Sequence, residues 1–279
     1  MIRAAFLAAG LAVFPLVVGA SAAAESVKQR PSDYYLALGD SLAYGFQPDK
    51  LDAGLRPSGF DTGFVDVFAS RLRVLKRTIQ VVNYGCPGES TITFKAGGCP
   101  WLAEGRKLHD TFHGSQRSAA LAFLAAHPGR VSPITLTLGG NDLTALVDAC
   151  KNLACIEARA PRAFASFGAR LTSILRQLRA AAPNAEIVVT GVWNFNLPQL
   201  ARTSAVIRSL NAATARSAAA ARAQFADLAP TFNPPGGVAK QRARLCALTF
   251  ICSRDDPHPR NAGYRAIATA VLAASGYAR

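Results

Sequence analysis

The chain has 279 residues, half of them hydrophobic, and a formal net charge of +14. This length and apolar content are ample for one hydrophobic core of ordinary size, so we expect a single domain. Beyond the N-terminal segment, no stretch is apolar enough to span a membrane. The positive charge is spread over predicted helices, with a cluster only at Arg71–Arg77. We therefore expect no nucleic-acid partner, and consider an anionic envelope or membrane surface instead.

The first 24 residues have the pattern of a secretory signal peptide. Arg3 is followed by an apolar run and then by small residues up to Ala24. The alternative is an uncleaved anchor helix, but the run is short for a membrane span and contains Pro15. We predict cleavage near Glu25, a mature domain over residues 25–279, and a secreted protein that is extracellular or periplasmic.

Predicted strands and helices alternate along the chain. Short apolar or β-branched runs predict strands at Tyr34–Leu38, Thr78–Tyr84, Ile134–Leu138, Ala185–Val192 and Gln224–Leu228. Apolar residues at helical spacing predict helices at Phe64–Leu75, Ser115–Ala126, Arg162–Ala181, Ser204–Ala223 and Asn261–Ala274. Loops are predicted at Gly45–Gly63, Gly88–Ser115, Val147–Pro161 and Asn194–Ala201. This alternation predicts βαβ units, and therefore a parallel sheet covered by helices on both faces.

Polar, glycine-rich turns follow the first three predicted strands. They read Gly39-Asp40-Ser41, Gly85-Cys86-Pro87-Gly88 and Gly139-Gly140-Asn141-Asp142. Because sites in parallel sheets form at the carboxyl ends of the strands, these turns predict a functional site at one edge of the sheet. Ser41 is the candidate nucleophile there, and the alternative is that Ser41 only caps the following helix.

A serine nucleophile needs a general base, usually a histidine that a third group orients. Among the four histidines, His258 is the best candidate because Asp255 stands three residues before it. We predict that Asp255 fixes the tautomer of the ring, with Asp256 as the second candidate for the acid. His109 and His113 have the i, i+4 spacing of a zinc-binding helix, but no third ligand accompanies them and we expect no metal.

An acyl-transfer transition state also needs hydrogen-bond donors for its oxyanion. The candidates are the backbone N–H of Ser41, the backbone N–H of Gly85 and the side-chain amide of Asn141. Glycine at position 85 lets the backbone approach a substrate closely, and an amide donates without titrating. The alternatives are an ordinary turn at Gly85 and an Asx turn or helix cap at Asn141.

The six cysteines form three couples that are close in the sequence. An even number of cysteines in an exported chain suggests disulfides, although six cysteines allow 15 connectivities. We predict the pairs Cys86–Cys99, Cys150–Cys155 and Cys246–Cys252. No C-x-x-C pair is present, which argues against a zinc site.

These turns together resemble the sequence blocks of the SGNH (GDSL) hydrolase superfamily. Gly39–Leu42 resembles the first block, with Ser41 as the nucleophile, and Gly85 resembles the glycine of the second. Gly139–Asp142 resembles the third block and Asp255–His258 the fifth. The resemblance implies a three-layer α/β/α fold like that of flavodoxin, with a five-stranded parallel sheet. It also implies ester hydrolysis without a metal or organic cofactor. The G-x-S-x-G elbow of α/β-hydrolases is absent around Ser41.

The substrate is the least determined feature of the sequence. We expect a secreted carboxylesterase or lipase that acts on a small-molecule or lipid acyl ester, with Trp101 and Trp193 among the loop aromatics that contact it. One alternative is a carbohydrate O-acetyl esterase acting on envelope or plant glycans. The alternative of another class is a non-catalytic envelope-binding protein that keeps the fold.

Overall fold

A five-stranded parallel sheet lies at the centre of the structure, a computed structural model that describes residues 30–277. The strands are β1 (Tyr34–Gly39), β2 (Gln80–Asn83), β3 (Val131–Thr137), β4 (Ile187–Thr190) and β5 (Gln224–Ala226). Their order in the sheet is β2-β1-β3-β4-β5, and every neighbouring pair is parallel. The predicted signal peptide, residues 1–24, lies outside the described residues.

Helices connect the strands and cover the sheet. In chain order they are α1 (Ser41–Tyr44), α2 (Pro48–Asp52), α3 (Phe64–Leu75), α4 (Thr91–Ala96), α5 (Pro100–Ala103), α6 (Gln116–Ala126), α7 (Gly140–Asp148), α8 (Leu153–Ala181), α9 (Leu200–Ala220), α10 (Ala229–Phe232), α11 (Val238–Leu248), α12 (Ile251–Arg254) and α13 (Asn261–Ala274). A short antiparallel pair, β6 (Thr249–Phe250) and β7 (Asp256–Pro259), encloses α12. Over residues 30–277, no helix has the length and apolarity that crossing a membrane requires.

Side chains of the sheet alternate between two apolar cores. Leu36 and Leu38 of β1 pack on the face covered by α6, α8 and α9. Tyr35 and Ala37 pack on the opposite face, which α3 and α13 cover. All four side chains are fully buried, as expected of a central parallel strand. The predicted α/β/α fold with five parallel strands is therefore confirmed.

The elements differ from the prediction mainly at α8. This helix begins at Leu153, nine residues before the predicted start, and Pro161 lies inside it. Asn152 caps the helix by accepting the N–H of Cys155, and Ala160 and Phe164 on either side of the proline are buried. The cap and the buried apolar stripe together stabilise the helix by more than is lost with the backbone hydrogen bond that a proline removes. The loop predicted up to Pro161 is thus wrong over its second half.

The structure joins the cysteines in the three predicted pairs. Cys86–Cys99 ties the turn after β2 to the start of α5, and both residues are buried. Cys150–Cys155 spans the start of α8, and Cys246–Cys252 joins α11 to α12. Each bridge closes a short loop, so each restricts the unfolded chain locally.

Candidate active site

Ser41 is the first residue of α1, directly beyond the carboxyl end of β1. Its Oγ lies 2.9 Å from Nε2 of His258, and Nδ1 of the same ring lies 2.7 Å from Oδ1 of Asp256. All three residues are half-buried. They form one hydrogen-bonded chain from carboxylate through imidazole to hydroxyl, the arrangement that activates a serine.

The carboxylate in this chain belongs to Asp256, and the prediction of Asp255 is corrected. Asp255 ends α12 with a φ of +53°, in the left-handed region, and it is exposed. Asp256 begins β7, and its Oδ1 also accepts the backbone N–H of His258 at 2.8 Å. A carboxylate that accepts the N–H two residues onward makes an Asx turn, which here holds Oδ1 beside the histidine ring.

The environment of Asp256 fixes the tautomer of His258. Burial alone would raise the pKa of Asp256, but hydrogen bonds from the ring and the backbone of His258 hold this pKa below its usual value. An ionised carboxylate only accepts hydrogen bonds, so the ring donates from Nδ1. Nε2 of the neutral ring is then the acceptor for the Ser41 hydroxyl.

Asp40 fixes the position of α1 from the residue before the nucleophile. Its Oδ1 accepts the N–H of Leu42 at 3.0 Å and the hydroxyl of Thr137 at 2.8 Å, which caps α1 and ties it to β3. Burial raises the pKa of Asp40 to about 6, although these hydrogen bonds oppose the shift. Because Asp40 caps the N-terminus of α1, the Ser41 hydroxyl is free to hydrogen-bond to His258.

Two of the predicted oxyanion donors are compatible with that role. Asn141 lies in the first turn of α7 and borders the same cavity as Ser41. Its Nδ2 donates one hydrogen to the carbonyl of Glu89 at 2.8 Å, and a second hydrogen remains. The backbone N–H of Ser41 stands at the first position of α1, where an α-helix has no internal acceptor.

The third predicted donor, Gly85, has a structural role instead. Its N–H donates to Oδ1 of Asn83 at 2.9 Å, and the residue is buried. A Cβ at this position would lie 2.5 Å from the backbone nitrogen of Tyr44 and 2.7 Å from the carbonyl carbon of Ala43. Position 85 therefore needs glycine because α1 packs directly against the turn after β2. In the same turn Gly88 is exposed, with a φ of +86°, and no described residue accepts its N–H.

A cavity of about 130 Å³ lies beside Ser41. Ser41, His258 and Asn141 border it, together with Trp193. The Trp193 indole is stacked on Phe232, with 4.0 Å between ring centroids. Trp193 thus borders the cavity that contains Ser41, and its contact with a substrate stays a prediction.

Trp101, the other tryptophan proposed to contact substrate, does not border this cavity. Its ring packs against Tyr44 and Phe46, in a small apolar cluster under the loop after β2. The indole Nε1 donates to the carbonyl of Lys107 at 3.1 Å. The structure therefore gives Trp101 a role in packing that loop.

The model of the GDSL-like lipase/acylhydrolase family matches residues 37–266, a range that includes Ser41, Asn141 and His258. The chain belongs to this family. Among residues 30–277, the structure contains no group of three or more potential metal ligands. His109 instead contacts the carbonyl of Tyr44 at 2.9 Å and the carboxylate of Asp61 at 3.3 Å.

Solved structures of other hydrolases share the fold of this acylhydrolase. An extracellular lipase from Streptomyces rimosus aligns with a TM-score of 0.58 and 19% identity, covering 87% of this chain and 100% of its own. A phospholipase A1 from Streptomyces albidoflavus aligns with a TM-score of 0.56 and 21% identity, covering 86% and 99%. An acetylxylan esterase from Geobacillus stearothermophilus aligns with a TM-score of 0.57 and 18% identity, covering 88% and 95%. No curated protein matches the chain in sequence.

Two buried residues of the acylhydrolase, Glu89 and Gln116, connect the parts of its site. The Gln116 side chain accepts the N–H of Gly39 at 2.6 Å and donates to the Gly39 carbonyl at 2.9 Å and to Glu89 Oε2 at 3.0 Å. The Glu89 carbonyl in turn holds Asn141. Burial raises the pKa of Glu89 to about 7. The sequence analysis did not single out either residue, since a glutamine at the start of a helix is normally solvated.

Proposed function

We propose that this acylhydrolase is a secreted serine esterase that hydrolyses carboxylic acyl esters through a covalent acyl-enzyme. The observation that carries the proposal is the hydrogen-bonded chain Ser41–His258–Asp256, which ends at a cavity that Asn141 also borders. The relatives in structure include lipases and an acetylxylan esterase, which supports acyl esters as the substrate class.

In the first half-reaction, Oγ of Ser41 bonds to the ester carbonyl carbon while its proton passes to Nε2 of His258. The imidazolium that forms is stabilised by the ionised Asp256 at Nδ1. His258 then gives the proton to the leaving alkoxy oxygen as the C–O bond breaks. The alcohol departs, and the acyl group stays on Ser41 as an ester.

In the second half-reaction, a water molecule attacks the carbonyl carbon of the acyl-enzyme. Nε2 of His258 accepts a proton from the water and returns it to Oγ of Ser41 as the acyl bond breaks. The products are the carboxylic acid and the free serine. The two half-reactions together consume one ester and one water molecule and need no redox partner.

The oxyanion of both tetrahedral intermediates would accept hydrogen bonds from the Ser41 N–H and from the free amide hydrogen of Asn141. We assign the third donor to Gly88 rather than Gly85. Gly85 already donates to Asn83, whereas no described residue accepts the N–H of Gly88. Gly88 also directly precedes Glu89, whose carbonyl holds the Asn141 amide.

Export is part of the proposal. Three disulfides in a chain of this size fit an oxidising compartment, and the first 24 residues have the pattern of a signal peptide. An extracellular or periplasmic location would place the enzyme next to anionic envelope or membrane surfaces, which suit its net charge of +14.

A second candidate function is O-deacetylation of a glycan. The observation that favours it is Trp193, whose aromatic ring borders the small cavity at Ser41, and one of the relatives in structure is an acetylxylan esterase. An aromatic ring in such a wall can pack against a sugar. A substrate series that includes acetylated xylan separates this candidate from a lipase or carboxylesterase.

The experiment that tests the proposal is hydrolysis of p-nitrophenyl esters from acetate to palmitate by the mature protein. We expect Ser41→Ala to lower kcat by about 10³- to 10⁶-fold, because the nucleophile is lost while the fold is kept. Ser70→Ala is the matched control, since Ser70 is an exposed serine on α3 whose hydroxyl bonds only to its own helix. Hydrolysis that persists in Ser41→Ala would overturn Ser41 as the nucleophile, and no hydrolysis of any ester would leave the non-catalytic envelope-binding protein as the better description.

A further inference from the structure

A second cavity, of about 310 Å³, lies next to the one beside Ser41. Its walls come from α7, the first turn of α8, the loop after β4, the start of α9, α12 and β7. The aliphatic side chains in these walls include Leu143, Val147, Leu153, Ile156, Val206 and Ile207. We refer to this space as the tail cavity.

The tail cavity and the cavity at Ser41 share two residues, Phe195 and Pro257. Pro257 stands between Asp256 and His258, so one wall of the tail cavity belongs to β7, the strand that carries both residues. Phe195 is half-buried and follows Trp193 by two residues. The two cavities are therefore neighbours, and a substrate group that extends from the Ser41 cavity past Phe195 and Pro257 would enter the tail cavity.

The buried polar side chains of the tail cavity already have partners within the protein, and its other two polar residues, Asn196 and Asp255, are exposed. Nδ2 of Asn194 donates to the carbonyl of Leu200 at 2.8 Å, and its Oδ1 accepts the hydroxyl of Thr203 at 3.1 Å. The same hydroxyl lies 3.0 Å from the Gln199 carbonyl. These groups have little capacity left for a sugar, so the interior favours an alkyl chain.

We infer that the tail cavity binds the distal part of the substrate's acyl chain, and that the enzyme prefers medium- to long-chain acyl esters. This inference rests on the proposed function. A cavity of about 150 Å³ accommodates benzene, so the tail cavity has room for roughly a dozen carbon atoms. The small cavity at Ser41 would hold only the reacting ester and the first carbons of the chain.

The acyl chain is the occupant we assign, rather than the alcohol, because the acyl group remains bonded to Ser41 through both half-reactions. The alcohol must leave after the first half-reaction so that water can replace it. Burial of the acyl chain, which stays bonded, helps to hold the acyl carbonyl in place for attack by water. Burial of the alcohol, which must leave, would slow its release and therefore turnover.

The test compares kcat/KM for p-nitrophenyl acetate, octanoate, laurate and palmitate. Burial of one methylene is worth up to about fourfold in affinity, so we expect kcat/KM to rise steeply up to about octanoate or laurate. In Ile156→Trp, whose indole would fill the tail cavity, we expect the ratio of kcat/KM for laurate over acetate to fall about tenfold or more. Glu157→Trp is the matched control, because Glu157 is the exposed neighbour on α8 and its ratio should equal that of the unchanged protein.

Val147→Trp supplies a second variant in case Ile156→Trp does not fold. Val147 borders the tail cavity but is 42% exposed, so a tryptophan there can narrow the mouth of the cavity without being forced into the core. We expect it to lower the laurate-to-acetate ratio in the same direction.

The outcomes separate this inference from the proposed function. Suppose that Ser41→Ala loses all activity but kcat/KM of the unchanged protein does not rise along the acyl series. The assignment of the tail cavity to the acyl chain would then be wrong, and the proposed esterase function would remain supported. Equal ratios in Val147→Trp, Ile156→Trp and Glu157→Trp would lead to the same conclusion. A series of acetate esters with longer alcohols serves as the last arm, and a length preference there instead would reassign the cavity to the alcohol. No Ser41-dependent hydrolysis of any ester would remove the proposed function itself.

Discussion

Asp255 and Asp256 are adjacent in the sequence, but they face different surroundings. Asp256 bonds to the ring and the backbone of His258, whereas Asp255 is exposed at the end of α12. The spacing of three residues made Asp255 the predicted acid. The deciding factor is the left-handed φ of Asp255, which a residue pattern does not reveal, since it depends on how α12 ends against β7.

Separate substitution of the two aspartates tests which one orients the base. We expect Asp256→Asn to lower kcat by about 10³- to 10⁴-fold, because an amide leaves His258 in the wrong tautomer. Asp255→Asn serves as the matched control and should change kcat less than about threefold, since it removes the same charge one residue away. Both variants are assayed for kcat and KM on one short-chain ester, and a larger loss in Asp255→Asn would return the role to that residue.

Gly85 shows a similar limit of sequence reasoning. A glycine after a strand is compatible with close approach to a substrate or close approach to another part of the backbone. Here Gly85 lies against the backbone of α1, and its N–H donates to the side chain of Asn83. The two outcomes differ only in three-dimensional packing, so they could not be separated from the residue type.

At the scale of elements, the site depends on how β1, α4, α6 and α7 are joined. Thr91 at the start of α4 donates its N–H to Asp142 of α7 at 2.9 Å, and Arg170 of α8 contacts both side chains. Glu89 and Gln116 complete the connection to β1. The turn that carries Gly88 is thus held to the helix that carries Asn141 from two sides.

Glu89 makes part of this connection dependent on pH. Burial raises the pKa of Glu89 in the folded protein to about 7, above its usual value of 4.5. The protonated Glu89 side chain therefore contributes fully to the free energy of unfolding below the unfolded-state pKa. This contribution is lost as the pH rises through about 7. Nearby Asp40, whose pKa is also raised by burial, adds to the same trend.

Replacing Glu89 by glutamine removes the ionisation and keeps the shape. We expect Glu89→Gln to be more stable than the unchanged protein at about pH 8.5, by up to about 3 kcal/mol, and to differ little at about pH 4.5. The measurement is the free energy of unfolding in urea at both pH values. Glu157→Gln is the control, because Glu157 is exposed on α8 and its substitution should not produce a pH-dependent difference. A constant difference across pH would show that Glu89 is not held in a raised-pKa environment.

Element boundaries were predictable where one signal dominated. The helices α3 and α13 have the predicted bounds because their apolar stripes are uninterrupted. The start of α8 was not predictable, since Pro161 was assigned to the loop before the helix and only the packing of Ala160 and Phe164 shows that the helix extends back through it. The pair β6–β7 is too short to produce a sequence pattern, although it positions His258.

For the whole molecule, the alternation of strands and helices was sufficient to predict the sheet and the edge at which Ser41, Asn141 and His258 meet. The tail cavity could not be predicted in this way. Its walls come from several elements between α7 and β7 that are distant in the sequence, and two of them, the start of α8 and the loop after β4, were predicted as loops.

The net charge of +14 is also a property of the whole molecule. Exposed arginines occur on α3, which covers one face of the sheet, and on α9, which covers the other. We expect the protein to bind vesicles that contain anionic lipid at low salt and to be released at high salt, because each basic side chain near the surface contributes about 1 kcal/mol and salt screens it. Vesicles of neutral lipid are the control, and Ser41→Ala is the form to use so that the lipid is not consumed.

Because positive charge occurs on both faces, no single face should be essential for this binding. Arg71→Glu with Arg73→Glu reverses charge on α3, and Arg202→Glu with Arg208→Glu makes the same change in net charge on α9. Each double variant can still present its other face, so cosedimentation at about 20 mM NaCl should show about a twofold loss for either, and a much larger loss when all four are combined. If one double variant alone abolishes binding, the attraction is local to that helix and not a consequence of the overall charge. If neither the salt nor the lipid charge matters, the basic character of the chain has another origin and the anionic surface is not a partner.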